Sequence, residues 1–141
     1  MEDRLKELYQ SVILAQAKKP VRYEKKENAD FTVDANNPIC GDRFKFYLNV
    51  EGGLIKEAYF YGHGCAISKA SSSILTQRLQ GCTLAEAKLL CTQMQELLSP
   101  EDTGIEYDEE LMAFAAAKHF PGRAQCATLS WEKVYAFLNS F

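Results

Sequence analysis

Hydrophobic and polar positions change period several times along this chain, and each change predicts an element. Leu5, Leu8, Tyr9, Val12 and Ile13 recur at helical spacing, predicting an amphipathic helix over residues 3–18 that Lys18-Lys19-Pro20 ends. Residues 20–30 are charged, Asn28-Ala29-Asp30 reads as a loop, and Phe31-Thr32-Val33 is a short strand candidate. From 43 to 50 the period drops to two, with Phe44, Phe46, Leu48 and Val50 on one face. Glu51-Gly52-Gly53 then reads as a turn, and residues 54–61 are rich in aromatic and β-favouring side chains. The two runs predict a β-hairpin.

Beyond the hairpin the pattern is helical. One helix runs from Cys65 to about Leu79 and stops at Gly81. Thr83-Leu84-Ala85-Glu86 is a capping box opening a second helix to about Leu97. No basic residue occurs between Lys88 and Lys118, while acids gather from Glu96 to Glu110, with Ser99-Pro100 and Gly104 marking a loop. Leu111 to Phe120 reads as helix, Pro121-Gly122 as its break, and a final helix starts at about Cys126 and carries Trp131, Val134, Phe137 and Leu138. The order of a helix, a small antiparallel sheet and then helices is that of an α+β fold, and residues 1–141 read as a single domain.

Composition narrows the function classes. An apolar fraction of 47% and a charged fraction of 25% are those of a soluble globular protein. A net charge of −3 argues against a nucleic-acid partner. No apolar run reaches the roughly 18 residues of a membrane span, and Met1-Glu2-Asp3-Arg4 lacks a signal peptide's apolar core. The expected location is the cytoplasm, where thiols stay reduced, and five cysteines are an odd number for a disulfide framework.

The thiols fall into two groups. Cys82 and Cys91 lie in or beside a regular helix among Leu84, Leu89 and Leu90, and read as ordinary buried thiols. Cys40, Cys65 and Cys126 instead stand beside Gly, Pro or a charge. Cys40 sits in Asn37-Pro38-Ile39-Cys40-Gly41-Asp42, a loop that also reads as a plain turn capped by Asp42. Cys65 follows Gly62-His63-Gly64 where a helix starts; unpaired N–H groups and the helix dipole favour a thiolate there, and a small packed helix-start residue is the alternative. Cys126 follows Arg123 and Gln125 at the expected start of the last helix. The predicted hairpin brings Cys40, Asp42 and Cys65 together, and three thiolates with one carboxylate make a donor set that zinc accepts. His63 is a weaker fifth candidate, because ligands one residue apart at a strand end point apart. Ser71, Ser72 and Ser73 read as small residues for close packing rather than nucleophiles. The spacing fits no zinc finger, since no C-x-x-C pair occurs, and neither a deaminase signature nor a glycine-rich nucleotide loop is present.

Three strings are more specific than the spacing. Asn37–Asp42, the run Gly62-His63-Gly64-Cys65-Ala66-Ile67-Ser68-Lys69-Ala70-Ser71-Ser72-Ser73, and Cys126-Ala127-Thr128-Leu129-Ser130-Trp131 resemble the IscU/NifU-N/SufU family of iron–sulfur cluster assembly proteins, in order over nearly the whole chain. The resemblance implies a SufE/NifU-like fold, with a three-stranded antiparallel sheet packed with five to six helices. It also implies a metal site of Cys40, Asp42, Cys65 and Cys126. Within the family the SufU branch is the better match. IscU-type scaffolds carry His before the third cysteine and an upstream Leu-Pro-Pro-Val-Lys string, whereas this chain has Gln125 and Phe120-Pro121-Gly122-Arg123-Ala124. SufU-type members usually have Lys at the Gln125 position, and they share the longer stretch between the second and third cysteines that holds the acidic segment 99–110.

The SufU resemblance implies a zinc-dependent sulfurtransferase that takes persulfide sulfur from a SufS-type cysteine desulfurase, with downstream Suf scaffold proteins as further partners and neither nucleic acid nor membrane involved. Cys40 is the expected acceptor, because a Pro/Gly loop moves more cheaply than a helix start. Arg123 orients the third thiolate or is a plain surface cation. Two alternatives remain at this point: an IscU-type scaffold building a [2Fe–2S] cluster on the same ligands, and a structural zinc domain serving only as an interaction surface.

Overall fold

The computed structural model describes residues 7–38, 41–99, 107–119 and 121–141. Its sheet is a meander of three antiparallel strands: β1 (Phe31–Asn37), β2 (Asp42–Glu51) and β3 (Leu54–His63), in the order β1-β2-β3. The predicted hairpin is β2–β3, and the short strand candidate at Phe31 extends to Asn37. The period-two pattern explains the register. Phe44, Phe46 and Leu48 face the core beside Ala35 and Val33 of β1 and Phe60 and Ala58 of β3. A register shift at Asn49/Val50 takes Val50 out of full burial. Arg43, Lys45 and Tyr47 alternate onto the opposite, open face.

The β3 edge is not left bare. Residues 21–24 run alongside it, with Phe60 N–H donating to Arg22 O (3.1 Å), Glu24 N–H donating to Phe60 O (2.8 Å) and Tyr23 bridging Phe60 in parallel sense. The Tyr23 hydroxyl also donates to Gly62 O, which ties this strap to the end of β3.

Helices cover the core face. α1 joins a π-helical segment, Tyr9–Leu14, to a helical turn, Ala15–Lys18. Residues 3–6 of the expected helix lie outside the described residues. The π winding departs from the expected 3.6 period for a packing reason: it brings Leu8 and Ile13, five residues apart and both buried, onto one face. α2 (Ala66–Leu79) and α3 (Leu84–Leu97) have the expected bounds. The capping box is complete, Thr83 Oγ1 accepting from Glu86 N–H (3.1 Å) and Glu86 Oε1 from Thr83 N–H (2.9 Å).

The segment expected as one helix from Leu111 to Phe120 is instead α4 (Glu109–Met112) followed by a 3-10 turn, Ala115–His119. Phe120 lies outside the described residues. Asp108 caps α4, and Arg78 of α2 donates to Asp108 and Glu110 at 2.9 Å each, so this end of the acidic segment is tied to the core. The Arg78 hydrogen bond holds the Asp108 carboxyl below the usual carboxylate range. The rest of that segment, residues 100–106, lies outside the described residues.

α5 runs from Pro121 to Leu138, so Pro121 opens the last helix rather than merely closing the preceding segment. Proline suits a first helical position, where its missing N–H would have no partner anyway. Cys126 therefore sits in the second turn of α5, not at its start as expected.

α2 is the central element, packed on α1, on α5 and on β3. Its serines do structural work, as expected of small packing residues, and hydrogen bonds sharpen that reading. Ser71 Oγ donates to Ala127 O (2.5 Å) and accepts from the buried Trp131 Nε1–H (2.7 Å), while Ser72 and Ser130 share a hydrogen bond of 2.8 Å. Ser73 Oγ donates to Gln16 Oε1 (2.6 Å) and accepts from Val21 N–H (2.7 Å), joining α2 to α1 and the strap. These bonds fix α5 against α2, and with it the height of Cys126 above the sheet.

Candidate metal centre

One chain reversal, one strand end and one helix start meet at one end of the sheet. Asn37 pairs with Asp42 across the β1–β2 connection, and Arg43 pairs with His63 at the end of β2–β3. Asp42 is 2% exposed and turns its side chain to the core side. One oxygen, Oδ1, accepts from Cys65 N–H at 3.2 Å. The other, Oδ2, is buried and has no hydrogen-bond partner among the described residues. A buried carboxylate oxygen without a donor is costly, and a cation is one group that removes the cost.

Cys65 is the N-cap of α2, and its Sγ accepts from Ser68 N–H at 3.4 Å while the residue stays exposed. Ser68 Oγ lies 3.4 Å from the same sulfur and donates to Cys65 O at 3.0 Å. Cys126 arrives from α5 and is buried. The ligand atoms of Asp42, Cys65 and Cys126 all lie within 4.8 Å of one another. Zinc bonds of about 2.0–2.3 Å imply ligand–ligand edges near 3.5 Å, within reach of side-chain rotation from this arrangement. The unpaired Asp42 oxygen together with two thiols is a donor set that fits zinc.

Cys40, the fourth expected ligand and the expected acceptor, lies outside the described residues. Its connection is bounded by Asn37 and Asp42, and Gly41 closes it at φ +75° with its N–H donating to Asn37 O at 2.8 Å. His63 is not in the cluster. It stands opposite Arg43, so strand alternation puts it on the open face, away from Asp42, with its ring edge toward Tyr61. Arg123 and Gln125 are exposed near the start of α5.

Two supports carried no role in the sequence reading. Gly64 is one: a Cβ there would lie 2.7 Å from Asp42 Oδ1, 2.5 Å from Ser68 Oγ and 2.7 Å from Phe44 Cε2. Ser68 is the other. The available signal was a glycine immediately before a helix-capping cysteine.

Of the remaining thiols Cys91 is buried as expected, whereas Cys82, at the turn before α3, is only half-buried. Burial pushes the Cys91 thiol up to about 12, with Cys82 adding a smaller push, and burial also raises Cys82, with Glu86 second. Neither is in the cluster. Cys91→Ser should cost about 1–3 kcal/mol, because it places a hydroxyl in an apolar site. Metal analysis of the folded Cys82→Ser and Cys91→Ser proteins should show wild-type zinc content; loss of metal from either would move the site.

The comparisons with known proteins fit this geometry. The family model described as "NifU-like N terminal domain" matches residues 8–127. The chain belongs to this family. Among NifU-like relatives it is 37% identical to the zinc-dependent sulfurtransferase SufU of Bacillus subtilis, covering 89% of this chain and 85% of that protein. It is 30% identical to the iron–sulfur cluster assembly scaffold protein IscU of Thermotoga maritima, over 90% of this chain and 89% of that one. A solved structure assigned as a cluster-assembly scaffold for the SUF system, from Fervidobacterium islandicum, has a TM-score of 0.80 and 29% identity over 94% of this chain and 97% of its own. The N-terminal part of a NifU-like protein from Brucella abortus shares the fold at a TM-score of 0.81 and 20% identity, covering 97% of this chain and 96% of that one. Within the described residues, no helix is long and apolar enough to cross a membrane.

Proposed function

We propose that this chain is a zinc-dependent sulfurtransferase that accepts persulfide sulfur from a SufS-like cysteine desulfurase for iron–sulfur cluster biogenesis. The observation that carries this reading is the convergence of Asp42, Cys65 and Cys126, with one Asp42 oxygen buried and unpaired. Identity to the B. subtilis sulfurtransferase over most of both chains supports it.

Cys40, Asp42, Cys65 and Cys126 would hold the ion. Bound zinc would keep thiols deprotonated at neutral pH without redox chemistry of its own. Cys40 is the acceptor: its thiolate attacks the outer sulfur of the desulfurase persulfide, the S–S bond breaks, and the desulfurase thiolate leaves. Cys40 then carries the persulfide sulfur to the next protein. Asp42, Cys65 and Cys126 stay in place through this exchange, held by the strand, the helix cap and α5.

Similarity to the IscU scaffold of T. maritima favours a second reading, in which the same residues hold a [2Fe–2S] cluster. Metal content and desulfurase turnover separate the two. Colourless protein with about one zinc per chain and faster turnover by a SufS-type desulfurase supports sulfur transfer. Brown, iron-containing protein without that stimulation supports the scaffold.

Asp42→Ala should lower zinc affinity by at least about tenfold, since even residues behind a ligand cost 10–100-fold. The zinc-free variant should melt close to zinc-free wild type, because losing the bond to Cys65 N–H offsets the removal of a buried unpaired carboxylate oxygen. Competition against a chromogenic chelator, with calorimetry of both apoproteins, checks this. Unchanged affinity would remove Asp42 from the ligand set.

A further inference from the structure

We propose that the open face of the sheet, at the end next to Asp42, docks an acidic segment of the protein that delivers sulfur. This rests on the sulfur-acceptor reading above.

The face is built from rows that the register sets side by side. Arg43 lies between Asn36 and His63, Lys45 between Asp34 and Tyr61, and Tyr47 between Thr32 and Tyr59. The strap and the two lysines that follow it add cations over these rings: the Arg22 guanidinium is 4.2 Å from the Tyr59 ring centre, Lys26 Nζ 4.4 Å from the same ring, and Lys25 Nζ 5.0 Å from the Tyr61 ring. Lys26 pairs with Glu24 at 3.1 Å, and Lys45 with Asp34 at 3.8 Å. Arg22, Lys25 and Arg43 have no ion pair among the described residues. On a chain of net charge −3, this face holds a surplus of cations.

Lys25, Asn36, Arg43, Lys45, Tyr47 and Tyr61 line a shallow depression of about 340 Å³ here. So open a hollow does not enclose a small molecule, but it takes side chains from a docked segment. Carboxylates fit against Lys25 and Arg43, and apolar stems lie on Tyr47 and Tyr61, the residue type that anchors interfaces. Asp34, Glu24 and Glu57 lie among or near the cations, so a continuous phosphate backbone would meet repulsion that a segment with two well-placed acids avoids.

Position links the face to the chemistry. Asp42 and Arg43 are consecutive and point to opposite sides of the sheet, so the depression adjoins the connection 38–41 that contains Cys40. A partner seated there stands beside the start of β2, where that connection ends.

The test uses the full-length zinc-loaded chain and a SufS-type cysteine desulfurase. Lys25→Glu/Arg43→Glu should raise the calorimetric Kd at least about tenfold. It should also flatten the salt dependence of binding, whereas Lys88→Glu/Lys133→Glu, an equal charge change on the helices, should not. Zinc content and sulfur loading at saturating desulfurase should match wild type. If the charge-reversed protein fails to fold, Lys25→Gln/Arg43→Gln takes its place with a smaller expected effect. Wild type and variant binding the desulfurase equally would overturn the docking face while leaving sulfur transfer intact. A wild type that neither binds the desulfurase nor accepts sulfur would overturn both. An RNA oligonucleotide bound by wild type and lost in the variant would make nucleic acid the occupant and the acidic segment wrong.

Discussion

Cys40→Ser is expected to reduce persulfide acceptance from a cysteine desulfurase to background, a fall of more than about a hundredfold. A serine hydroxyl keeps its proton at neutral pH, so nothing remains to attack the outer sulfur of the persulfide. The choice among three cysteines rests on their supports. Cys65 caps α2 and holds Ser68 N–H. Cys126 is buried in α5 immediately before Ala127, whose carbonyl Ser71 of α2 bonds, and one turn before Ser130, which Ser72 bonds. Moving either sulfur breaks helix or core contacts, whereas Cys40 belongs to a four-residue connection that Gly41 closes in a left-handed conformation. The Cys40→Ser protein should fold and keep part of its zinc through Asp42, Cys65 and Cys126. Mass spectrometry after incubation with desulfurase and cysteine should place the added sulfur on the wild-type peptide containing Cys40. Sulfur on the peptide of Cys65 or Cys126, with Cys40→Ser still active, would reverse the assignment.

The parts of this fold that were legible in the sequence are those governed by short-range rules. Alternation over residues 43–50 and the Glu51-Gly52-Gly53 turn specify β2–β3, and Thr83 with Glu86 specifies the start of α3. The meeting of Asp42 with Cys65 follows from that hairpin, because antiparallel pairing puts the start of one strand beside the end of the next. What escaped depends on long-range packing. Pro121-Gly122 looks like a break on local grounds, yet proline equally opens a helix, and only the packing of α5 against α2 and α3 decides. The strap at residues 21–24 reads as a charged loop because its order comes from β3 backbone groups and the Tyr23–Gly62 bond. The π winding of α1 leaves no mark in a pattern that also fits 3.6 residues per turn. The serines of α2 announced small size but not their partners, which lie more than 50 residues away.

The same division holds for the metal centre. Residue type and local string pick out Asp42, Cys65 and Cys126, but only the structure gives the two Asp42 oxygens different surroundings, one bonded to Cys65 N–H and one unpaired. That asymmetry orients the carboxylate: the bonded oxygen sets its plane, and the other is left without a hydrogen-bond partner among the described residues. Strand pairing, not local sequence, sets His63 apart from the cluster, since its face is fixed by its pairing with Arg43.

Gly64→Ala should disturb this arrangement more than any other single methyl group added to the chain's described glycines outside left-handed positions. The new Cβ would stand 2.5 Å from Ser68 Oγ and 2.7 Å from both Asp42 Oδ1 and Phe44 Cε2. Ser68 can rotate only by giving up its bond to Cys65 O. Phe44 is buried against Phe60 and has little room to withdraw. The remaining accommodation is a shift of the Asp42 carboxylate, which breaks its bond with Cys65 N–H and misplaces the unpaired oxygen. Overpacking of this kind costs about 1–3 kcal/mol of stability, and a misplaced ligand should weaken zinc binding by roughly 10–100-fold. Gly122→Ala is the matched control. Its Cβ would meet nothing within 4 Å inside α5, so it should leave zinc affinity unchanged and raise stability slightly. Chelator competition and thermal melts of both variants read the difference. A Gly64→Ala protein that keeps wild-type zinc affinity would show that Asp42 does not need the space this glycine leaves.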